Sequence, residues 1–164
     1  MKALITGGTR GIGLACCRLF VSSGFAVTAT YSADEASAAA AKRALPEVRF
    51  VRADVRDEDA MRALIADMGT LDVLVNNAGV DVWKQVQDTS KEEYARVMDV
   101  NMGGTFLAVK HAVSKLLASR GAIVNVSSVW GVTGGSCESV YSASKGAVIA
   151  FTSALPRAPP PPPA

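Results

Sequence analysis

Short apolar runs alternate with longer stretches of helical periodicity along the 164 residues of this chain. Runs rich in Val, Ile and Leu are predicted to form five β-strands, at 2–6, 25–30, 48–53, 71–76 and 122–127. The helical pattern predicts helices near 11–23, 33–45, 57–68, 90–118 and 139–155. Most of the strands are apolar enough to be buried on both faces, as parallel strands are. The alternation therefore predicts an α/β fold with a Rossmann-like, doubly wound parallel sheet.

The composition is that of an ordinary globular domain, with 49% hydrophobic and 20% charged residues. The net charge of +2 is small and the Lys and Arg residues are scattered, so no nucleic-acid or membrane partner is expected. No apolar run reaches the ~18 residues that a membrane span needs. The chain starts directly on a strand-like segment rather than on a signal peptide, which predicts a cytoplasmic protein.

Cysteine and histidine are too few and too scattered to predict a metal site. Cys16 and Cys17 are adjacent in a helical pattern and Cys137 stands alone, so all three are predicted to be small buried hydrophobic residues. His111, the single histidine, is expected to lie on the surface or to be hydrogen-bonded. A Ser/His/Asp hydrolase is not expected either, because the chain has no G-x-S-x-G segment.

The segment TGGTRGIG, residues 6–13, follows the first predicted strand and opens the first helix. Gly7, Gly11 and Gly13 have the spacing G-x-x-x-G-x-G, which differs from both G-x-G-x-x-G and the P-loop pattern. The physical demand is similar: a sharp turn, a diphosphate close to the backbone, and a helix N-terminus whose free N–H groups face negative charge. Glycine also serves plain tight turns, so the place between strand and helix is what favours a dinucleotide site.

The end of the second predicted strand bears on which dinucleotide would bind. Folds that prefer NAD usually carry an acid there for the ribose 2′-hydroxyl, whereas TATYS, residues 28–32, ends without one. Arg10 lies in the glycine turn, where a cation could meet a 2′-phosphate. Both features favour NADP(H). Because Asp34 and Glu35 are close by, NAD(H) remains the less favoured alternative.

Further motifs follow in chain order: Asp54–Val55 after the third strand, NNAG at 76–79, Asn101 within MDVNMGG, and SSVWG followed by YSASK, which ends at Lys145. With the glycine turn, this set resembles the short-chain dehydrogenase/reductase family in order and register from residue 2 to about 155. The resemblance implies an oxidoreductase whose catalytic residues are Asn101, Ser128, Tyr141 and Lys145.

The resemblance also implies a set of cofactor-binding positions. These are Gly7, Thr9, Arg10, Gly11, Ile12, Gly13, Ser32, Asp54, Val55, Asn77, Ala78 and Gly79, together with Tyr141 and Lys145. Within this set, Asp54 and Val55 would contact the adenine ring. Asn77 to Gly79 would line the cofactor near the fourth strand.

The implied chemistry is reduction of a ketone to a secondary alcohol. Tyr141 would be the general acid that protonates the carbonyl oxygen as hydride arrives from the nicotinamide. Lys145, four residues on and hence on the same helix face, would stabilise the phenolate and hold the nicotinamide ribose. Ser128 would hydrogen-bond the carbonyl, and Asn101 would support a proton-relay water. Taken singly, each residue could instead have a purely structural role: Ser128 could end a strand, Tyr141 could cap a helix and Lys145 could be a solvated helix residue.

The substrate is expected to be a small-molecule or a carrier- or protein-bound carbonyl compound. The chain resembles 3-oxoacyl-acyl-carrier-protein reductases overall. Residues 127–148, SSVWGVTGGSCESVYSASKGAV, resemble more narrowly the branch that reduces a 5-aminopentanone modification on elongation factor P. Glu138, three residues before Tyr141, could receive a substrate ammonium there, or could simply be an acid favoured at a helix N-terminus.

The family continues past the Tyr-Lys helix into a sixth strand, a Pro-Gly turn, a substrate-covering loop and a seventh strand, none of which this sequence contains. The expected organisation is an incomplete NADP(H)-binding reductase domain, 1–155, and a proline-rich tail outside the family pattern, 156–164, typical of a reading-frame change. The fifth strand would then be an unpaired apolar edge of the sheet. The chain alone is expected to show weak or absent turnover and to keep some affinity for the dinucleotide.

Two alternatives to the enzyme stay open at this point: a dinucleotide-binding module without chemistry, and a non-functional translation product. The resemblance further implies a homo-oligomer formed through the helices near 101–118 and 139–155. An incomplete domain is expected to weaken that assembly.

Overall fold

Five parallel strands form a single sheet in the computed structural model, which describes residues 1–155. The strands are β1 (Lys2–Ile5), β2 (Ala26–Tyr31), β3 (Arg49–Arg52), β4 (Val73–Asn76) and β5 (Ala122–Asn125). Their order across the sheet is β3-β2-β1-β4-β5, and every neighbouring pair is parallel. The predicted α/β, Rossmann-like sheet is confirmed. The predicted tail, 156–164, lies outside the described residues.

Helices alternate with the strands as the sequence predicts, and two more helices follow β5. The helices are α1 (Gly11–Ser22), α2 (Glu35–Ala44), α3 (Glu58–Asp67), α4 (Lys91–Met98), α5 (Gly104–Ser119), α6 (Trp130–Thr133) and α7 (Ser139–Ala154). Side-chain caps begin several of them: Asp34 accepts from the Ser37 N–H at α2, and Ser90 forms a capping box with Glu93 at α4. None of the helices described in residues 1–155 is long and apolar enough to cross a membrane.

The region predicted as one helix over 90–118 is divided in the structure, which corrects that prediction. A π-helical turn, Asp99–Gly103, separates α4 from α5. Asn101 lies in this turn and is bonded outside the helix: its side chain pairs with the backbone of Val80. The Thr105 hydroxyl donates to the Asn101 carbonyl oxygen at 2.8 Å. These hydrogen bonds stabilise the irregular backbone of the π-turn. Such turns are frequent at functional sites.

The end of the fifth strand also differs from the prediction, and one short helix was not predicted. The fifth strand ends at Asn125 rather than at 127, so Ser127 and Ser128 lie in the loop that follows it. The short helix α6 was not predicted, because four residues are too few to show a helical period.

Two hydrophobic clusters, one on each face of the sheet, hold the layers together. Leu4 and Leu74 point to the face covered by α3 and α5, where Met61, Ile65 and Leu71 are fully buried. Ile5 and Val75 point to the opposite face, against α1. This alternation along each strand is the expected result of burying a parallel sheet on both sides.

The two faces of β5 are less well covered than those of β1. β5 pairs only with β4 among the described residues, and its Val124 side chain is 48% exposed. In contrast, Ala3, Leu4 and Ile5 of β1 have no accessible surface. The sheet is therefore best packed at its centre, where β1 carries the glycine turn.

Candidate active site

The carboxyl ends of the five strands meet at one edge of the sheet, as they must in a parallel arrangement. Two adjoining clefts open there, of about 570 Å³ and 380 Å³. Ile12, Asn77, Gly79 and Val80 line both clefts and form the boundary between them. All of the predicted site residues except Gly13 and Asn101 line this continuous depression, although they come from separate elements.

The glycine turn is held by a compact set of hydrogen bonds to the loop after β4. Asn77 Nδ2 donates to the carbonyl oxygens of Thr6 and Gly7, both at 3.0 Å. Thr6 Oγ1 accepts from the N–H groups of Asn77 and Ala78, again at 3.0 Å. A Cβ atom at Gly13 would lie 2.2 Å from the Gly7 oxygen. Only glycine at position 13 therefore lets the start of α1 approach this turn.

The large cleft contains eleven of the predicted cofactor-binding residues. They are Gly7, Thr9, Arg10, Gly11, Ile12, Ser32, Asp54, Val55, Asn77, Ala78 and Gly79. Gly13 does not line the cleft, and within α1 it packs directly against Gly7 and Asn77, which do. Arg56 and Arg96 also line it and were not predicted, because neither belongs to a recognisable motif.

The acids near the large cleft are engaged in local contacts. Asp34 caps α2, accepting from the Ser37 N–H at 2.9 Å, and the Ser37 hydrogen bonds, with a smaller contribution from Arg10, lower the pKa of its carboxyl. Glu35 accepts from the Tyr31 hydroxyl at 3.1 Å. Asp54 is paired with Arg56 at 2.7 Å, and this hydrogen bond lowers its pKa.

The smaller cleft brings together Ser128, Tyr141 and Lys145. Lys145 is almost fully buried, and its Nζ lies 5.7 Å from the centroid of the Tyr141 ring. Nζ donates to the Val126 carbonyl oxygen at 2.8 Å, while burial lowers the pKa of the ammonium group. Ser127 Oγ donates to the Lys145 carbonyl oxygen at 2.8 Å and ties α7 to the end of β5. The cation is therefore held in a fixed position beneath the phenol.

Asn101 is buried behind the wall that separates the clefts rather than exposed in either. Gly79 lies between it and Lys145: a Cβ at Gly79 would be 3.4 Å from Asn101 Oδ1 and 3.5 Å from Lys145 Nζ. The structure thus brings Asn101 close to Lys145 without placing its side chain in the cleft.

Two carboxyl groups lie at the mouth of the smaller cleft, next to Trp130. Glu138 was a candidate from the sequence, whereas Asp81 was missed because it lies in a loop with no motif of its own. Burial raises the pKa of Glu138, and the neighbouring Asp81 carboxyl raises it further. Neither acid pairs with a basic side chain of residues 1–155. Glu138 is the N-cap residue of α7, yet its side chain makes no capping hydrogen bond within the described chain.

The cysteines and the histidine have structural surroundings. Cys17 is fully buried, and burial raises the pKa of its thiol to about 12. Cys16 and Cys137 are only half-buried, which corrects the prediction that all three are core residues. His111 Nε2 lies 3.1 Å from Glu58 Oε1, consistent with a hydrogen-bonded residue. Within residues 1–155 no three His, Cys, Asp or Glu side chains converge as metal ligands would.

Comparisons with known proteins match most of the chain. The sequence model described as short chain dehydrogenase matches residues 1–159. A cyclopentanol dehydrogenase of Comamonas sp. (strain NCIMB 9872) is 38% identical over 159 residues, which cover 92% of this chain and 64% of that protein. An L-fucose dehydrogenase of Bos taurus is 40% identical over 157 residues, covering 93% and 58%.

A third relative is the 3-oxoacyl-[acyl-carrier-protein] reductase FabG of Chlamydia muridarum (strain MoPn / Nigg). It is 35% identical over 162 residues, covering 93% of this chain and 65% of that protein. The chain spans less than two thirds of the length of these three relatives.

Proposed function

The chain belongs to the short-chain dehydrogenase family, and we propose that it reduces a ketone to a secondary alcohol with NADP(H) as the hydride donor. The observation that carries this proposal is the buried Lys145 ammonium beneath the Tyr141 ring, in a cleft that adjoins the glycine turn. The family uses nicotinamide dinucleotides, which supply the hydride. The side chains of this protein must therefore supply the proton.

The large cleft fits a dinucleotide. The absence of a side chain at Gly13 lets α1 pack closely against the glycine turn. The N-cap residue of α1, Arg10, makes no side-chain capping bond within residues 1–155. The first N–H groups of α1 can therefore face a diphosphate. NADP(H), when bound, supplies the hydride. The residues that would hold it are the glycine turn, Asp54, Val55 and the Asn77–Gly79 loop.

Tyr141 would give its hydroxyl proton to the substrate oxygen as the carbonyl carbon receives the hydride. The oxygen then becomes the alcohol O–H, and Tyr141 is left as a phenolate. The nearby Lys145 charge stabilises that phenolate, and burial strengthens the interaction because water screens it less. Ser128, in the same cleft, would donate a hydrogen bond to the substrate oxygen. Because its side chain lies outside both clefts, Asn101 would act on the water that returns a proton to Tyr141 only through its neighbour Lys145.

Preference for NADP(H) over NAD(H) is supported by the charges at the end of β2. The acids nearest this end, Asp34 and Glu35, are engaged with Ser37 and with Tyr31. Arg10 lines the cleft together with Ser32, and offers a guanidinium group that can bind a 2′-phosphate in a bidentate manner.

Replacing Arg10 by Ala is expected to raise the Kd of NADPH by about 10- to 10²-fold, because a charge-assisted hydrogen bond to phosphate is lost. The Kd of NADH should change by less than about 3-fold. Fluorescence titration of both dinucleotides measures this. Arg18→Ala, an exposed arginine on the same helix, is the matched control. Equal weakening of NADPH and NADH would show that Arg10 does not read the 2′-phosphate.

The substrate class we propose is a ketone on a larger carrier or protein, as the resemblance to 3-oxoacyl-acyl-carrier-protein reductases implies. A ketone that bears an amine, such as the 5-aminopentanone group on elongation factor P, is favoured by one observation. The cleft next to Tyr141 presents Asp81 and Glu138 without a cationic partner in residues 1–155. A substrate ammonium would neutralise the two facing carboxylates.

Glu138→Gln and Asp81→Asn are each expected to raise the KM of an amine-bearing ketone by about 10-fold, since each removes one charged hydrogen-bond partner. The KM of a neutral ketone of similar size should stay within about 3-fold. Glu47→Gln, an exposed acid after α2, is the control. If the ratio of turnover between the two ketones is unchanged, the ammonium role is wrong.

A dinucleotide-binding module without turnover is the second candidate function. The described residues form the large cleft, while the chain spans less than two thirds of the relatives' length. Carbonyl-dependent oxidation of NADPH by the purified chain, followed at 340 nm, separates the two. Turnover supports the reductase, whereas an NADPH-induced rise in melting temperature without turnover supports the binding module. If the purified chain shows neither turnover nor a rise in melting temperature, the non-functional translation product is favoured.

The proposal includes two expectations about the protein in the cell. We expect a cytoplasmic location and self-association through α5 and α7. Phe106, 45% exposed on α5, stacks edge-to-face on Phe151 of α7 with 6.4 Å between ring centroids. This pair offers an apolar surface shared by the two helices.

A further inference from the structure

Ser144 lies on α7 between Tyr141 and Lys145 and has no accessible surface. Its hydroxyl donates to the Tyr141 carbonyl oxygen at 2.7 Å. The Ser144 hydroxyl oxygen in turn accepts a hydrogen bond from Asn101 Nδ2 at 2.9 Å. One buried hydroxyl therefore connects two of the residues proposed to act in the reaction, although 43 positions separate it from Asn101.

Asn101 extends this connection to the wall of the clefts. Its Oδ1 accepts from the Val80 N–H at 2.8 Å, and its Nδ2 donates to the Val80 carbonyl oxygen at 2.9 Å as well as to Ser144. All hydrogen-bonding atoms of the Asn101 side chain are thus in use inside the protein. The result is a continuous chain of bonds from Val80, which lines both clefts, to the turn of α7 that carries Tyr141.

An ordinary explanation exists for a serine in a helix: its hydroxyl satisfies itself by bonding a carbonyl oxygen of the preceding turn. Thr152 and Ser153 do this on the same helix, to Val148 at 2.6 Å and to Ile149 at 3.0 Å. Ser144 differs because it also accepts a bond from another element. That second bond is not needed to satisfy any backbone group of α7, and it connects α7 to the π-turn.

We propose that Ser144 is a positioning residue, which sets where the Tyr141 turn of α7 lies relative to Asn101 and to the cleft wall at Val80. The inference rests on the proposed reductase function, because it assigns Ser144 a role in aligning the proton donor. Loss of the Ser144 hydroxyl leaves the Asn101 N–H without this acceptor, and because the position is fully buried, water does not replace it. The π-turn and α7 are then free to shift apart.

Ser144→Ala is expected to lower kcat by about 10- to 10²-fold while the KM of NADPH and of the ketone changes by less than about 3-fold. Misplacement of a reacting group by ~1 Å has an effect of this size. Ser153→Ala, which removes a hydroxyl bonded only to its own helix, should leave kcat unchanged. A kcat of Ser144→Ala equal to that of Ser153→Ala would overturn the proposal.

A second readout does not depend on turnover. The Asn101 side-chain amide signals in a ¹⁵N NMR spectrum, identified by their loss in Asn101→Asp, and the Tyr141 ring signals should both move in Ser144→Ala and stay in place in Ser153→Ala. Unmoved signals overturn the positioning role even if the enzyme is active. Moved signals in a chain without turnover support the positioning role and count against the proposed function alone.

Ser144→Cys serves if Ser144→Ala does not fold. Its thiol keeps nearly the same shape but is a weaker donor and acceptor. The Asn101 and Tyr141 signals should then shift in the same direction by a smaller amount, with a smaller loss of kcat. A Ser144→Cys protein with wild-type signals and wild-type kcat would contradict the proposal.

Discussion

Tyr141→Phe is expected to lower carbonyl-dependent NADPH oxidation by about 10²- to 10⁴-fold, the contribution typical of general acid catalysis. Phe keeps the aromatic ring beside Lys145 and loses only the hydroxyl that would protonate the substrate oxygen. Binding of NADPH should therefore persist. The decrease in absorbance at 340 nm measures turnover, and the NADPH-induced rise in melting temperature measures binding.

The matched control is Tyr94→Phe, which removes a hydroxyl from a half-exposed tyrosine on α4. It should leave both turnover and binding unchanged. If Tyr141→Phe retains turnover within about 3-fold of the unmodified chain, Tyr141 is not the proton donor. In that case the cleft around Ser128 and Lys145 needs another acid, and the proposed reaction fails at its central step.

Gly13→Ala is expected to abolish NADPH binding and to lower the free energy of unfolding by about 1–3 kcal/mol, the usual range for overpacking. The added Cβ would lie 2.2 Å from the Gly7 carbonyl oxygen and 2.5 Å from Asn77 Nδ2. Both atoms belong to the hydrogen-bonded junction of the glycine turn, so the turn must distort. Thermal unfolding should show the loss as about 2–4 °C for each kcal/mol in a chain of this size.

Gly11→Ala separates this clash from backbone strain. Gly11 has φ of 53°, and no heavy atom lies within 4 Å of a Cβ placed there. Its substitution should cost about 1–2 kcal/mol through the left-handed backbone alone, without distorting the bonds to Asn77. A Gly13→Ala protein that melts with the unmodified chain and still responds to NADPH would show that the turn tolerates the side chain.

The strand and helix pattern was predictable because each element carries its own hydrophobic period. β1 and β4 appear as apolar runs because both faces of the sheet are covered there, and the observed ends of β1, β4 and β5 differ from the predicted ones by at most two residues. The π-turn at Asn101 was not predictable in this way. It depends on bonds to Val80, 21 residues earlier, which no local pattern contains.

The site shows the same division between local and distant information. The placement of the glycine turn and of Tyr141 beside Lys145 was predictable, because each spacing lies within one turn or one helix. Asp81 was not, since it faces Glu138 only after the loop following β4 meets the start of α7. Ser144 was inside a quoted motif, yet its bond to Asn101 becomes visible only in three dimensions.

The position of β1 at the centre of the sheet has a consequence during synthesis. β1 precedes all other strands in the chain, but one of its two neighbours, β4, begins only at Val73. At roughly 5–20 residues per second, the ribosome needs several seconds to make the intervening segment. Throughout that time Leu4 and Ile5 have only half of their final surroundings. The nascent chain is thus expected to expose one edge of this central strand until β4 arrives, a period in which chaperones that bind extended apolar segments would have access to it.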